Sequence, residues 1–281
     1  MVSENDDESQ NYAEALKRYR KAADEGDTDA QVHLGTMYAY GRGVPQNYAE
    51  ALKWYRKAAD EGDTDAQIHL GTMYAFGHGV PKDYAEAVKW YRLAADEDDA
   101  DAQRILGGIY ENGQGVLQDD GEAVKWYRLA ADQGDADAQF VLGNMYSNGQ
   151  GVPQNYAEAV KWYREAADQG KADAQCALGS MYSHGRGVPQ DDAEAVNWYR
   201  EAAGQEDARA QFALGSSYEN GQGVPHDDSE AVKWYRLASD QWLADATVHL
   251  VTMYDNGRSV PQNYAEAMKR YRDAADRGQL T

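Results

Sequence analysis

The sequence predicts an all-α solenoid of 36-residue helix–turn–helix repeats, on three observations. One phrase returns seven times without insertion or deletion, its beat marked by Tyr38, Tyr74, Tyr110, Tyr146, Tyr182, Tyr218 and Tyr254. A fixed period of roughly 20–50 residues signals stacked units, each unable to bury its apolar face alone. Within each phrase the apolar residues fall at helical spacing, and Gly and Pro punctuate the same two places in most copies. No linker or shift in composition interrupts the period. One continuous domain is therefore expected over residues 11–278, after a disordered acidic segment (1–10) and before a short tail (279–281).

Taken in order, the chain opens on MVSENDDESQ, which is polar and acidic, and then enters an unpaired helix of the second type, B, from Tyr12 to Asp24. The first full repeat shows why the others fold. Asp27 suits a helix N-cap, and acidic groups are favoured in a first turn by the macrodipole. Ala30, Leu34, Met37, Tyr38 and Gly41 then lie on one face of helix A. Gly41-Arg42-Gly43-Val44-Pro45 ends it, with the first Gly fit for a left-handed C-terminal position and Pro45 unable to continue the helix. Asn47 and Glu50 resemble a capping box for helix B, whose buried stripe is Ala51, Trp54, Tyr55, Ala58 and Ala59. Gly62 closes the unit. Fifteen helices follow from this reading, eight of type B and seven of type A, with no strand.

Glycine inside a helix costs about 1 kcal/mol relative to alanine, yet six of seven helices A keep one at the slot of Gly35. Close approach of a neighbouring helix would compensate, with a ring such as Trp54 over the bare backbone. The column Trp54, Trp90, Trp126, Trp162, Trp198 and Trp234 reads as core rather than as a stacking platform, because both terminal copies of the slot, Arg18 and Arg270, are charged.

The run Ala30-Gln31-Val32-His33-Leu34-Gly35-Thr36-Met37-Tyr38-Ala39-Tyr40-Gly41-Arg42-Gly43-Val44, followed by Ala51, Trp54, Ala58 and Ala59, resembles the Sel-1-like repeat, a relative of the tetratricopeptide solenoids. The resemblance implies a right-handed α/α superhelix with helices A lining the concave side. It also implies work as an adaptor or scaffold in signalling, quality control or host–microbe contact. The chain departs from the pattern in its last repeat, where Val251 replaces the helix Gly, Ser259 the second loop Gly, and Trp242 a helix-ending Gly. It also has none of the paired cysteines of the family's disulfide-clasped branch, which is linked to penicillin binding.

With 48 acidic against 27 basic residues and a formal charge of −21, the chain lacks the basic footprint that phosphate binding requires. Neither direct nucleic-acid binding nor an anionic membrane surface is expected. Cys176, the single cysteine, sits in a packing slot, and no secretory signal or membrane-length apolar run is visible. A cytoplasmic protein is expected, although leaderless export leaves no mark in a sequence. No phosphate loop, nucleophile elbow or paired-Cys spacing occurs, and His33 and His69 stand one repeat apart without a third ligand in register. The expectation is a non-enzymatic protein without cofactor or metal.

Variable positions on the helix A face are free to recognise a partner. They supply His33, Thr36, Tyr40, His69, Thr72, Phe76, Asn112, Asn144, Asn148, His184 and Asn220. Tyr40 and Phe76 stand where every later repeat has Asn or His, and aromatic side chains are common interface anchors. Such a groove suits a protein or an extended peptide. The rival readings are an exported bacterial effector acting on a host protein, and an acidic decoy for a nucleic-acid-binding protein. Trp242 is expected to distort its turn and to serve either as a staple under the last repeat or as an exposed anchor.

Overall fold

In the computed structural model, residues 4–258, 269 and 272 are described, with side chains from Tyr12 onward except that of residue 13. Fourteen helices and no strand occur among these residues. The last expected helix B falls outside them except for residues 269 and 272. The chain divides into two compact units, Met1–Asp135 and Ala136–Thr281. The division lies at a repeat boundary.

The first unit holds α1 (Glu4–Asp24), α2 (Thr28–Tyr40), α3 (Tyr48–Asp60), α4 (Thr64–Phe76), α5 (Tyr84–Asp96), α6 (Ala100–Asn112) and α7 (Asp120–Asp132). The second holds α8 (Ala136–Asn148), α9 (Tyr156–Asp168), α10 (Ala172–His184), α11 (Asp192–Gly204), α12 (Ala208–Asn220), α13 (Asp228–Asp240) and α14 (Ala244–Asp255). In each unit, helices A and B alternate and pack on their sequence neighbours. The expected disorder of residues 1–10 is not what the backbone shows from Glu4 on, where α1 already runs. Acidic residues crowd its first turns, where the macrodipole favours them.

Caps set most boundaries. Asp27, Asp63, Asp99 and Asp207 each accept the N–H three residues on at 2.8 Å. Asn47 caps α3 through the N–H groups of Ala49 and Glu50, but the reciprocal half of the capping box does not form. The Asn47 N–H is already donated to the Tyr38 carbonyl at 2.8 Å, and Glu50 faces Lys53 instead.

The recurrent helix glycine is explained by a tyrosine, not by Trp54. The Tyr55 ring lies on Gly35 so closely that a Cβ there would sit 2.6 Å from the ring. The same contact joins Gly71 to Tyr91, Gly107 to Tyr127, Gly143 to Tyr163, Gly179 to Tyr199 and Gly215 to Tyr235. The tryptophans face the preceding repeat: Trp90 packs on the α3/α4 core, Trp126 on α5/α6 and Trp234 on α11/α12. Arginines add a polar stitch between successive repeats, with Arg56 donating to the Tyr74 hydroxyl at 2.6 Å and Arg200 to that of Tyr218 at 3.1 Å.

A second stitch is buried. Gln103, Gln139, Gln175 and Gln211 each accept, through Oε1, the side-chain amide of the glutamine thirty residues on, at 2.8–3.0 Å. In the first two repeats that donor slot holds Glu61 and Glu97, which as carboxylates have no proton to give. Gln31 Oε1 and Gln67 Oε1 are accordingly left buried without a partner. Replacing Glu61 and Glu97 by Gln supplies the missing donors, and each change is expected to raise stability by about 1 kcal/mol. Urea titration of the single and double variants checks this. No gain in either would mean that the two oxygens are satisfied otherwise.

Trp242 does not distort its turn. It keeps the left-handed backbone at φ 70°, and Trp242 N–H to Ser239 O and Leu243 N–H to Ala238 O reproduce the bonds made at Gly62 and Asp63. Those turn bonds hold a side chain where a left-handed residue costs about 1–2 kcal/mol. Trp242 is 52% exposed, and its neighbour Leu243 packs against the α13/α14 core.

Candidate functional site

Because the ring of each helix B tyrosine covers a glycine, its hydroxyl emerges among the variable positions of helix A. The partner there changes along the chain. Tyr55 meets Thr36 at 3.0 Å and Tyr91 meets Thr72 at 3.0 Å. Tyr127 donates to Glu111, Tyr163 to Asn144 and Tyr235 to Glu219. Burial pushes the Tyr55 hydroxyl up to about 12, so it is a neutral donor or acceptor at physiological pH.

Four of the sequence-selected residues converge. Tyr40, His69, Thr72 and Phe76 line one pocket of about 250 Å³ in the first unit, together with Ala39, Tyr48, Tyr55, Met73 and His78. Tyr40 and Phe76 end α2 and α4 and are 63% and 64% exposed. The imidazoles are held by ring stacking. His69 lies 4.5 Å from the Tyr55 ring, and His78 lies 4.8 Å from Tyr48 and 5.9 Å from Phe76. Burial lowers the His69 pKa, against the pull of Asp65 and Asp63, so its ring is neutral at pH 7. The pocket wall is thus largely aromatic, with Thr72 already engaged by Ile68 O and Tyr91.

Other sequence-selected residues serve their own helices. His33 stacks on Tyr19 at 4.7 Å and meets Asp29 O at 2.8 Å. Asn112 donates to Gly108 O, Asn220 donates to Ser216 O, and His184 Nδ1 meets Ser180 O. Asn144 accepts from Tyr163, and Asn148 is exposed at the end of α8. Tyr48, Tyr55 and His78 escaped sequence reasoning. The two tyrosines repeat and so read as scaffold, whereas His78 carried a signal, an imidazole in a loop slot that is Arg or Gln in the other repeats.

The second unit carries a charged network. Glu219 accepts from Tyr235 at 2.7 Å and Arg258 at 2.7 Å, and faces His249 at 3.3 Å. Burial would raise its pKa, but these three donors outweigh it and hold the carboxyl below its ordinary range. Arg258 also pairs with Asp228, so the network reads as a clasp of the final repeat. Burial pushes the Cys176 thiol up to about 12, which keeps it protonated and a poor nucleophile. Among the described residues, no group of three or more His, Cys, Asp or Glu could hold a metal ion, and no helix is long and apolar enough to cross a membrane.

Comparison with known proteins gives a consistent picture. The family model described as Sel1 repeat matches residues 5–27, 28–63, 64–99, 100–135, 136–171, 172–207, 208–241 and 246–279. The chain is similar to a protective antigen of uropathogenic Escherichia coli strains, at 40% identity and a TM-score of 0.87 over 92% of this chain. It spans 56% of the length of that protein. It is also similar to a Sel1 repeat protein of Oxalobacter formigenes, at 36% identity and a TM-score of 0.78 over 97% of this chain and 79% of the other. A search of curated proteins finds no match.

Proposed function

Because the chain belongs to the Sel1 repeat family, whose repeats generally mediate protein–protein interaction, we propose that it is a non-catalytic scaffold gripping a protein or peptide on its helix A face. The observation that carries this reading is the convergence of two exposed rings, Tyr40 and Phe76, on one pocket with a largely aromatic wall. Both residues are free of core duty, so they contribute little to the fold and much to a contact surface.

Changing both to Asn, the residue of the later repeats, should leave the melting temperature within a few degrees of the parent. The same change should weaken retention of a stoichiometric partner in pull-down by tenfold or more. Asn148→Ala, at the equivalent slot of a later repeat, serves as the control. Equal retention by the double variant and the parent would remove this pocket from the binding surface. The resemblance to a protective antigen favours a second reading, an exported protein that acts on a host protein. Offering bacterial and mammalian lysates in the same pull-down separates the two.

A further inference from the structure

We propose that the pocket between Tyr40 and Phe76 takes an aromatic side chain from an acidic peptide segment, with carboxylates beside the ring engaging Arg42 and Lys82. This inference rests on the scaffold reading and names the chemistry of its partner.

The ring preference follows from the walls. Tyr40, Tyr48, Tyr55, Phe76, His69 and His78 present ring faces and edges around a space of about 250 Å³. The Met73 thioether adds a polarisable surface of the kind that aromatic rings favour. Ring pairs gain from offset or edge contact beyond the area they bury, an advantage an aliphatic anchor would forgo.

The charge preference follows from two cations at the rim. Several lysines and arginines of the first unit are ion-paired: Lys53 with Glu50, Lys89 with Glu86, Lys125 with Glu122 and Arg104 with Asp101 and Asp135. Arg42 and Lys82 have no ion-pair partner among the described residues. Arg42 lies over the Tyr40 ring at 5.3 Å and Lys82 over Tyr84 at 4.6 Å. In a chain of charge −21, two such cations beside a pocket with no acidic lining form a local exception. A guanidinium stacked on a ring keeps its edge donors free for a carboxylate.

At the rim, the end marked by Tyr40 and Phe76, the net charge does not oppose this. The acids of the first repeats, such as Asp27, Asp29, Asp63 and Asp65, stand at the start of the helices A that Tyr40 and Phe76 end. A 13-residue helix separates the two ends by about 20 Å. That exceeds the screening length of about 8 Å at physiological salt for the Tyr40 and Phe76 end, whereas Asp63 and Asp65 act on His69, deeper in the pocket.

The test is fluorescence anisotropy on the full chain with three labelled peptides: one with a single Trp flanked by glutamates, one with the same Trp flanked by lysines, and one with Ala in place of Trp. The glutamate–Trp peptide should bind at least tenfold more tightly than either of the others. Its affinity should fall at least fivefold in Arg42→Gln/Lys82→Gln, and also on raising salt from 0.05 to 0.5 M. Tighter binding of the lysine peptide would overturn the proposal in favour of a cationic ligand held on the ring faces. Unchanged affinity in the Arg42→Gln/Lys82→Gln variant would also overturn it. If no peptide binds while Tyr40→Asn/Phe76→Asn still abolishes partner retention, the acidic-aromatic chemistry fails and the scaffold reading stands.

Discussion

Gly143→Ala is expected to destabilise the second unit by about 2–3 kcal/mol, although alanine is the better helix former. The helix itself would gain about 1 kcal/mol from the change. Against that, the new Cβ would lie 2.4 Å from two carbons of the Tyr163 ring, a separation that forces something to move. The ring has nowhere to go. Tyr163 is 4% exposed and its hydroxyl is tied to Asn144 at 2.8 Å. Overpacking of a closed core costs about 1–3 kcal/mol and occasionally more, and here both partners are pinned. Gly204 is the control, since no atom lies within 4 Å of the Cβ it would gain, and Gly204→Ala should be neutral or mildly stabilising. Urea titrations of the two variants decide the matter. Equal stabilities would show that the ring yields freely and that the glycine column has another cause.

Trp90→Ala should lower stability by about 3 kcal/mol. The indole belongs to α5 but packs on the α3/α4 core formed by Ala51, Tyr55, Ala58, Ala66, Leu70 and Met73. Its removal leaves a cavity between one repeat and the next rather than within either. Large aromatic truncations in cores cost about 3–5 kcal/mol, and the partial exposure of Trp90 places it at the lower end. Because each repeat touches chiefly its neighbours, the loss should be local. Hydrogen exchange should quicken most in α3 to α5. Uniform acceleration through both units would contradict nearest-neighbour coupling.

The 36-residue period made the helices, their order and most caps legible, because every local signal recurs in register. What failed was the assignment of rings. Trp54 and Tyr55 are adjacent on one helix, about 100° apart, and periodicity marks both as buried without saying which faces its own helix A. The structure gives the tyrosine to Gly35 and the tryptophan to the preceding core of Ala23, Ala30 and Leu34. Gln31 and its copies went unremarked because glutamine is commonly a surface residue. Its return on the buried face in six repeats was the available signal. In the site, Tyr40 and Phe76 stood out by breaking the pattern, whereas Tyr48 and Tyr55 were hidden by keeping it. Asn112, His184 and Asn220 varied as a recognition surface would, yet their side chains bond their own helices.

The glutamine stitch also bears on how quickly the chain reaches its fold. Its bonds join residues thirty apart, the arginine–tyrosine bonds residues eighteen apart, and the glycine–tyrosine contacts residues twenty apart. Each closes a loop of about a tenth of the chain or less, so little entropy is lost before a contact forms. Chains dominated by such short closures fold rapidly. Growth can begin at any repeat and spread to its neighbours. The slots of Glu61 and Glu97 interrupt this propagation, since the buried oxygens of Gln31 and Gln67 gain nothing when the next turn docks. Folding fronts that start in the second unit should therefore advance through well-stitched repeats, whereas the first two repeats close last and open first.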